Sequence, residues 1–462
     1  MSPDQSRRDA FSAQRDAAAS ALAAPDLASL AAIGEAHIRA GRLADAQAAY
    51  GAALAMAPGN IAITHNLGAI AAMRGDYRDA IARFDAVIAS EPRAVTAHYN
   101  RALALLSLAQ PRAALEGLSR VCVLDPGHYD AHRTLGFLWL AEGNRDRALD
   151  HFARTYELRR GEDRSTLAGK SLTHATRDKL LHDAEQFQFL AGQGRNGQRF
   201  TLLARTYEEV AQGFPEQLHE LSEQQINRLG EDYNCPIHLR AAPQVAGRAV
   251  NERRDLGVLL SDLRASEAGA VYFDDLLTPD ALRRLRAFLL ESTIWHDFSH
   301  IGGFVASYLE DGLACPLILQ IADEIRGTFA ELLRDHPLSQ AWAFKGLKPA
   351  SAIDVHADDG AITVNFWVTA SEANLKPDSG GLVVSLVPPP KDWQMHSYDA
   401  DQERIVAFLE QNSNNRLRVP YRANRAVLFE SRLFHWSDTP EFASGYENHR
   451  INLTFLYGRR GT

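Results

Sequence analysis

Three residues in the C-terminal half of the chain, His356, Asp358 and His435, have side chains that bind divalent metals. His356 and Asp358 are two positions apart, and side chains of a strand alternate between its faces, so both should point the same way. A second histidine from a distant strand would complete a set of two histidines and one carboxylate. Such a set binds one side of an ion and leaves the other positions open, which is typical of non-haem Fe(II) sites. Asp359 is a competing carboxylate, but its parity directs it to the opposite face.

The segments around these residues alternate between polar and apolar side chains. The positions that share the polar face are Asp354, His356, Asp358, Thr363, Asn365, Trp367, Thr369, Arg450, Asn452 and Thr454. A small barrel with a polar interior and an exterior packed on helices is typical of this pattern. The alternative is an antiparallel sheet with one solvent-exposed face, but such faces are usually rich in Lys and Glu.

Residues 340–460 resemble the double-stranded β-helix of the 2-oxoglutarate/Fe(II)-dependent dioxygenases. The matching features are the His-x-Asp pair, the Asp378-Ser-Gly-Gly turn before Leu382–Val387, the strand from Arg425 before His435, and Arg450 in the last strand. A short strand at Val271 followed by a helix at Pro279 looks like the entry to a domain of the prolyl-hydroxylase branch. The resemblance implies a jelly-roll or cupin-like domain with supporting helices.

The same resemblance implies that His356, Asp358 and His435 bind Fe(II). It also implies that 2-oxoglutarate and O2 are cosubstrates, and that the oxidation of an unactivated C–H bond accompanies the formation of succinate and CO2. Asn365 and Trp367 lie on the polar face beside these ligands, so they are candidates for the substrate pocket.

An arginine in the last strand would bind the distal carboxylate of 2-oxoglutarate. Arg450 can donate two parallel hydrogen bonds to a carboxylate, which a lysine cannot duplicate. Asn452 shares its face and is expected to assist. Arg422 and Arg425 are competing anchors, less favoured because they precede the second histidine.

A second pattern, with a period of 34 residues, occupies the N-terminal third of the chain. The recurring positions are Gly41, Gly75 and Gly143 with Ala109 at the missing slot; Ala46, Ala80, Ala114 and Ala148; Tyr50, Phe84, Leu118 and Phe152; and Pro58, Pro92 and Pro126 with Arg160 at the fourth slot. This is the period and pattern of tetratricopeptide (TPR) repeats. Four repeats are predicted at residues 27–60, 61–94, 95–128 and 129–162, forming an all-α solenoid.

A TPR solenoid offers a concave groove for a peptide or protein. Asn66 and Asn100 occupy equivalent positions in the first helices of repeats two and three, so they are candidates for holding the backbone of an extended peptide. The alternative is that the array only packs against the other domain or mediates assembly.

The predicted organisation is multidomain, with four segments. They are a polar N-terminal segment (1–26), the TPR repeats (27–162), a helical connector (163–265) and the dioxygenase domain (266–462). Residues 391–424 form an insertion, predicted to be either a substrate lid or a solvated loop. His296 and His300 have helical metal spacing without a third ligand, so they are expected at a surface or at the rim of the site.

The composition is 46% hydrophobic and 23% charged, typical of a soluble globular protein of this length with two or three domains. The net charge of −9 argues against broad nucleic-acid binding. Three separated cysteines form neither a disulfide framework nor a zinc motif, and no apolar run is long enough to span a membrane. These features predict a cytoplasmic protein without a membrane partner, and they give no indication of its oligomeric state.

The leading hypothesis is therefore an oxygenase that hydroxylates a peptide or protein side chain recruited by the TPR groove. One alternative is a small-molecule hydroxylase in which the repeats serve assembly only. A second alternative, from another functional class, is a non-catalytic TPR scaffold.

Overall fold

The structure is a computed structural model, and it describes residues 26–161, 169–194, 196–253, 255–265, 269–299, 303–390, 393 and 402–459. The predicted N-terminal segment, apart from Asp26, lies outside these residues. The chain divides into two compact units, Met1–Ala131 and His132–Thr462. The limit between them falls inside the fourth predicted repeat, so most of that repeat belongs to the second unit.

The first unit consists of consecutive helices, two for each predicted repeat. They are α1 (Leu27–Arg39), α2 (Leu43–Met56), α3 (Ile61–Met73), α4 (Tyr77–Ser90), α5 (Val95–Ser107) and α6 (Pro111–Leu124), and α7 (Tyr129–Ala141) begins at its end. These bounds match the predicted TPR units, so the helical repeats are confirmed.

The two helices of a repeat meet where a glycine faces an aromatic ring. A Cβ atom added to Gly68 would lie 2.9 Å from the Phe84 ring, so a larger residue there would force the ring to move. The third repeat has Ala102 and Leu118 at the corresponding positions, where a larger residue on one helix accompanies a smaller one on the other. The 34-residue pattern therefore records matched side-chain volumes.

The turn between the two helices requires a left-handed backbone. Gly41 and Gly75 have φ angles of 71° and 81° there, and Ala109 at the missing glycine slot has a φ of 55°. An alanine pays a steric cost in this conformation that glycine avoids. The third repeat therefore keeps the TPR turn in spite of its sequence.

The second unit combines helices with two antiparallel sheets. Its helices after α7 are α8 (Arg145–Arg160), α9 (Arg177–Gly192), α10 (Gly197–Ala211), α11 (Glu223–Leu229), α12 (Leu256–Ala265), α13 (Pro279–Glu291), α14 (Pro316–Thr328), α15 (Ala330–Leu333) and α16 (Gln402–Gln411). Its strands are β1 (His174–Ala175), β2 (His219–Glu220), β3 (Ala270–Phe273), β4 (Phe304–Tyr308), β5 (Leu338–Gly346), β6 (Ile362–Trp367), β7 (Leu382–Ser385), β8 (Arg416–Val419), β9 (Ala426–Glu430), β10 (His435–Ser437) and β11 (Ile451–Tyr457). Thr278 caps α13 through its side chain and Pro279 begins the helix, as predicted.

Six strands form one sheet in the order β3-β9-β6-β11-β5-β4, and three form a second in the order β10-β7-β8. The short pair β1-β2 stands apart from both. Trp367 and Phe429 of the larger sheet share a buried cluster with Leu382 and Val384 of the smaller one, so the two sheets pack together. The antiparallel sheets agree with the prediction, while the double-stranded β-helix topology remains a prediction.

The opposite face of the larger sheet is apolar and packs on helices. Val364, Phe366 and Leu453 belong to a large core cluster with residues of α13 and α14, such as Leu285 and Ile318. Both faces of β6 and β11 are thus buried. The polar residues of these strands consequently point toward the smaller sheet.

The fourth repeat ends with a buried ion pair instead of a proline. Arg160 donates to both carboxylate oxygens of Asp311, over 2.8 Å from Nε and 2.6 Å from Nη2. A third hydrogen bond runs from Nη1 to Ser171 Oγ at 2.8 Å. The departure from the repeat pattern at Arg160 therefore attaches α8 to the rest of the second unit.

Candidate metal centre

His356 and His435 lie opposite each other on two extended segments. The His356 amide donates to the His435 carbonyl at 3.1 Å, and the His435 amide donates back at 2.9 Å. His435 begins β10, but His356 forms only an isolated bridge outside the named strands. The expectation that His356 and Asp358 belong to a regular strand is corrected here, although one bridge still directs both histidines to the same side.

Backbone carbonyls orient both imidazoles. His356 Nδ1 lies 2.8 Å from the Asp354 carbonyl, and His435 Nδ1 lies 3.0 Å from the Leu433 carbonyl. A carbonyl oxygen only accepts, so each Nδ1 carries the proton and each Nε2 keeps its lone pair. Such contacts behind a histidine are usual in metal sites because they fix the tautomer and the ring orientation.

Asp358 completes the group. Its carboxylate lies 3.8 Å from His356 Nε2 and 3.5 Å from His435 Nε2. Thr363 Oγ1 donates to Asp358 Oδ2 at 2.9 Å, which holds the carboxylate from behind. Asp358 is buried while Asp359 is exposed, so the predicted choice between the two carboxylates agrees with their positions.

The geometry of the three side chains fits a metal ion. Their ligand atoms all lie within 4.8 Å of one another. Ligands at metal-bond lengths of about 2.1 Å on one side of an ion would lie about 3 Å apart, so small side-chain movements would close the set. Burial, followed by the neighbouring His356, lowers the pKa of His435 to about 4, so this imidazole is neutral and ready to bind a metal at neutral pH.

The group lies at a small cavity that is partly open to solvent. Besides the three ligands, the lining residues are Trp342, Phe344, Ile353, Asn365, Leu382, Trp436, Ser437, Arg450, Asn452 and Thr454. The predicted residues Asn365, Arg450 and Asn452 therefore line the same cavity as His356, Asp358 and His435. Trp342, Phe344 and Ile353 were not predicted as site residues. The alternation of β5 could have indicated the first two, but not that this strand borders the site.

Arg450 is buried in the wall of this cavity. Its Nε donates to the Gly380 carbonyl at 2.9 Å and its Nη2 donates to the Gly381 carbonyl at 3.0 Å. Among the described residues, no carboxylate lies within ion-pair distance of it. Burial lowers the pKa of Arg450 to about 10, so the guanidinium remains a cation at neutral pH. A buried cation of this kind is suited to an anionic ligand.

Several predicted residues lie elsewhere. Trp367 does not line the cavity; it is buried between the sheets, and the Arg450 guanidinium lies 5.9 Å from its ring centre. Arg422 and Arg425 both form ion pairs with Asp274, which occupies these competing anchors.

His296 is buried in the core, contrary to the expectation of a surface or rim position. Its ring nitrogens contact the Tyr156 hydroxyl at 2.8 Å and the Asn234 side chain at 3.1 Å. The sequence signal that favoured a loop, the glycine pair after His300, falls partly outside the described residues, as does His300 itself. Burial and complete pairing exclude a role for His296 at the site's rim.

The helix of the 391–424 insertion, α16, packs behind His356 and His435. Helix α16 contributes Ile405 and Leu409 to a small apolar cluster with Phe434, and the partly buried Val355 and Trp436 pack against it. Val355 precedes His356 in the chain, and Phe434 and Trp436 flank His435. The helix therefore supports the two ligand segments from the side opposite the metal group.

The two asparagines predicted for the peptide groove belong to the first unit. Both are half-buried on the first helices of their repeats. Asn100 Nδ2 lies 3.3 Å from His65 Nε2. Peptide binding by the two asparagines stays a prediction.

Residues 31–77 and 68–127 match the tetratricopeptide repeat family, a repeat type that generally mediates protein or peptide binding. Similar solved structures include MamA from Desulfovibrio magneticus RS-1, at 26% identity over 30% of this chain and 78% of that chain, with a TM-score of 0.29. A further MamA crystal structure is 20% identical over 39% of this chain and 93% of that chain, with a TM-score of 0.26. A search of curated proteins returns no match to this chain. Among the described residues, no helix is long and apolar enough to cross a membrane.

Proposed function

We propose that this protein is a 2-oxoglutarate- and Fe(II)-dependent dioxygenase that hydroxylates a side chain of a peptide or protein. The observation that carries the proposal is one cavity lined both by the His356, Asp358 and His435 group and by the buried Arg450, which has no carboxylate partner among the described residues. The first group suits a divalent metal and the second suits an organic anion. The double-stranded β-helix topology belongs to the same proposal.

The chain's own residues would divide the work as follows. His356, Asp358 and His435 would hold Fe(II) through two imidazole nitrogens and one carboxylate. When bound, Fe(II) with 2-oxoglutarate and O2 supplies the oxidation of a C–H bond, and succinate and CO2 are the accompanying products. Arg450 would bind the distal carboxylate, while Trp342, Phe344 and the other apolar wall residues limit the access of water.

The exposure of the ligands indicates where a substrate would approach. The His356 side chain is 32% exposed, whereas those of Asp358 and His435 are each 5% exposed. A C–H bond would therefore reach the metal from the side of His356. A side chain that projects from a polypeptide fits this approach because the polypeptide itself could remain outside the cavity.

The decisive experiment is an anaerobic titration of the purified protein with Fe(II) and then with 2-oxoglutarate. We expect a weak visible charge-transfer band that saturates with 2-oxoglutarate. Asp358→Ala should abolish the band while the far-ultraviolet helical signal persists, and the exposed neighbour substitution Asp359→Ala should keep it. Saturable binding in Asp358→Ala, or none in the wild type, would contradict the proposal.

A non-catalytic TPR scaffold is the second candidate, and the family match over residues 31–127 supports it. It predicts protein binding that does not change in the Asp358→Ala variant, together with no 2-oxoglutarate turnover by the wild type. A small-molecule hydroxylase would instead give strong succinate formation with a free metabolite and none with peptides.

A further inference from the structure

Two residues that line the cavity each have a buried polar atom with no hydrogen-bond partner among the described residues, namely Nε1 of Trp342 and Oδ1 of Asn365. Asn365 is only 7% exposed. Buried polar groups are nearly always hydrogen-bonded, so an unpaired group in a cavity wall points to a missing ligand or water. Here two such groups occur in the same wall.

The strand register places these two residues side by side, at a distance from Arg450. Trp342 of β5 pairs with Thr454 of β11, and Thr454 pairs with Asn365 of β6. Arg450 precedes Thr454 by four residues, which is about 14 Å along an extended chain. Thr363, which donates to Asp358, is two residues from Asn365 on β6. Trp342 and Asn365 therefore lie toward the metal end of the cavity, and Arg450 lies toward the other end.

Both residues can present an N–H group to the cavity. The Trp342 indole nitrogen is always a donor. Asn365 Nδ2 lies 2.8 Å from Thr454 Oγ1, and a hydroxyl can either donate or accept. The Asn365 amide can therefore turn over, bond Thr454 through its oxygen, and direct its NH2 group into the cavity.

We propose that Trp342 and Asn365 donate hydrogen bonds to the carboxylate next to the keto group of a bound 2-oxo acid. Arg450 binds the distal carboxylate at the other end. This inference rests on the proposed function, and it assigns the two ends of the cosubstrate to separate parts of the wall. Trp342 is a positioning residue that the sequence did not indicate.

The test compares two ligands on the full-length protein with Fe(II) in the absence of O2. One is 2-oxoglutarate and the other is 2-oxopentanoate, which has the same chain length but a methyl group in place of the distal carboxylate. Isothermal titration calorimetry gives Kd for each. Trp342→Phe removes the N–H group and keeps an aromatic ring, so it should weaken both ligands about tenfold, as expected for one hydrogen bond to a charged group. Arg450→Lys should weaken 2-oxoglutarate alone.

The matched control is Trp295→Phe, because the Trp295 indole already donates to the Leu289 carbonyl and lies outside the cavity wall. Its Kd values should equal those of the wild type. Asn365→Leu provides a second variant in case Trp342→Phe folds poorly, and it should also weaken both acids.

The outcomes separate this inference from the proposed function. If the wild type binds 2-oxoglutarate and Trp342→Phe changes neither Kd, the inference fails while the function stands. Weakening of 2-oxoglutarate alone would put Trp342 at the distal end and overturn the assignment. Equal weakening by Trp295→Phe would show a packing effect and would also overturn it. If the wild type bound neither acid, both this inference and the proposed dioxygenase function would be contradicted.

Discussion

Two buried arginines of the second unit differ in how their charge is neutralised. Arg160 is 2% exposed and makes a two-pronged ion pair with Asp311, which is also 2% exposed. Arg450 is 7% exposed, and among the described residues its side-chain hydrogen bonds go to the carbonyls of Gly380 and Gly381. Arginine side chains are seldom buried in this way. Among the described residues, Arg160 has a carboxylate counter-ion and Arg450 has none.

This difference fits a structural role for Arg160 and the proposed binding role of Arg450. A buried ion pair with both partners from the chain needs no ligand. Loss of either partner destabilises the folded state because it leaves a buried charge without its counter-ion. A buried cation without a carboxylate lowers stability until a ligand supplies the anion. The comparison can be tested by substituting the two arginines in parallel.

The largest expected effect is on folding. Arg160→Met should lower the free energy of unfolding by about 3–5 kcal/mol, because Asp311 would remain buried without its partner. Urea-induced unfolding measures this loss. The control is Arg159→Met, since Arg159 is partly exposed and lies 3.8 Å from Asp311, so its loss should cost less than about 1 kcal/mol. Equal costs for the two variants would contradict the structural role of Arg160.

The same ion pair predicts a pH dependence. Burial alone would raise the pKa of Asp311, but the hydrogen bonds and charge of Arg160 outweigh it and lower that pKa. The pair therefore stabilises the fold above the unfolded pKa of about 4, and this contribution is lost as the pH falls through the folded pKa. Without Arg160, burial would raise the pKa of Asp311, so protonation would relieve the buried charge in the variant first. The difference in unfolding free energy between the wild type and Arg160→Met should therefore shrink as the pH falls from 7 to 3. A difference that stays constant from pH 7 to pH 3 would exclude this linkage.

Substitution of the second arginine should affect ligand binding rather than folding. Arg450→Met should weaken 2-oxoglutarate binding by about 2–5 kcal/mol, because the distal carboxylate would lose a buried charged partner. Its unfolding free energy without ligand should be unchanged or higher. Calorimetry and urea unfolding measure the two quantities. Arg422→Met is the control, and weaker binding in that variant would move the anchor to Arg422.

A smaller effect is expected in the first unit. Asn66→Ala combined with Asn100→Ala should weaken coupled hydroxylation of a peptide by about 1–3 kcal/mol in total, because two backbone hydrogen bonds would be lost. Succinate formed without peptide should not change. The assay compares succinate with and without candidate peptides for both proteins. Equal coupling would limit the array to packing or assembly.

The smallest effect concerns a turn of the first unit. Ala109→Gly should stabilise the protein by about 0.5–1 kcal/mol. Glycine adopts the left-handed φ of 55° without the steric cost that alanine has there. This gain exceeds the larger conformational entropy that glycine loses on folding. Ala72→Gly in α3 is the opposite control and should destabilise by about 1 kcal/mol. Thermal unfolding distinguishes the two. Destabilisation by Ala109→Gly would mean that the methyl group makes a compensating contact.

The sequence indicated both the repeats and the grouping of His356, Asp358 and His435, for different reasons. The repeats are confirmed, the three side chains lie together, and metal binding stays a prediction. The repeats depend on local volume matching, such as Gly68 against Phe84, and this recurs at a fixed period. The metal group could be predicted because His356 and Asp358 are neighbours in sequence and parity separates Asp358 from Asp359.

The remaining features depend on contacts between distant parts of the chain. From the sequence, Arg160 marked only a departure of the last repeat from its pattern. Its partner Asp311 is 151 positions away, so the ion pair could not be predicted. His296 looked exposed because its partners, Tyr156 and Asn234, come from other segments. Trp342 could not be assigned to the cavity because the order of strands in a sheet is not encoded in the alternation of any one strand.

The ion pair at the end of the fourth repeat also restricts how the array can change in length. A repeat inserted between the second and third would leave Arg160 and Asp311 together, since both lie beyond it in the chain. A repeat inserted after residue 161 would add a new last helix. The helix that carries Arg160 would then no longer be the one next to the Asp311 carboxylate. Related chains with longer or shorter arrays should therefore vary on the N-terminal side, while the final repeat keeps an arginine where the others have proline.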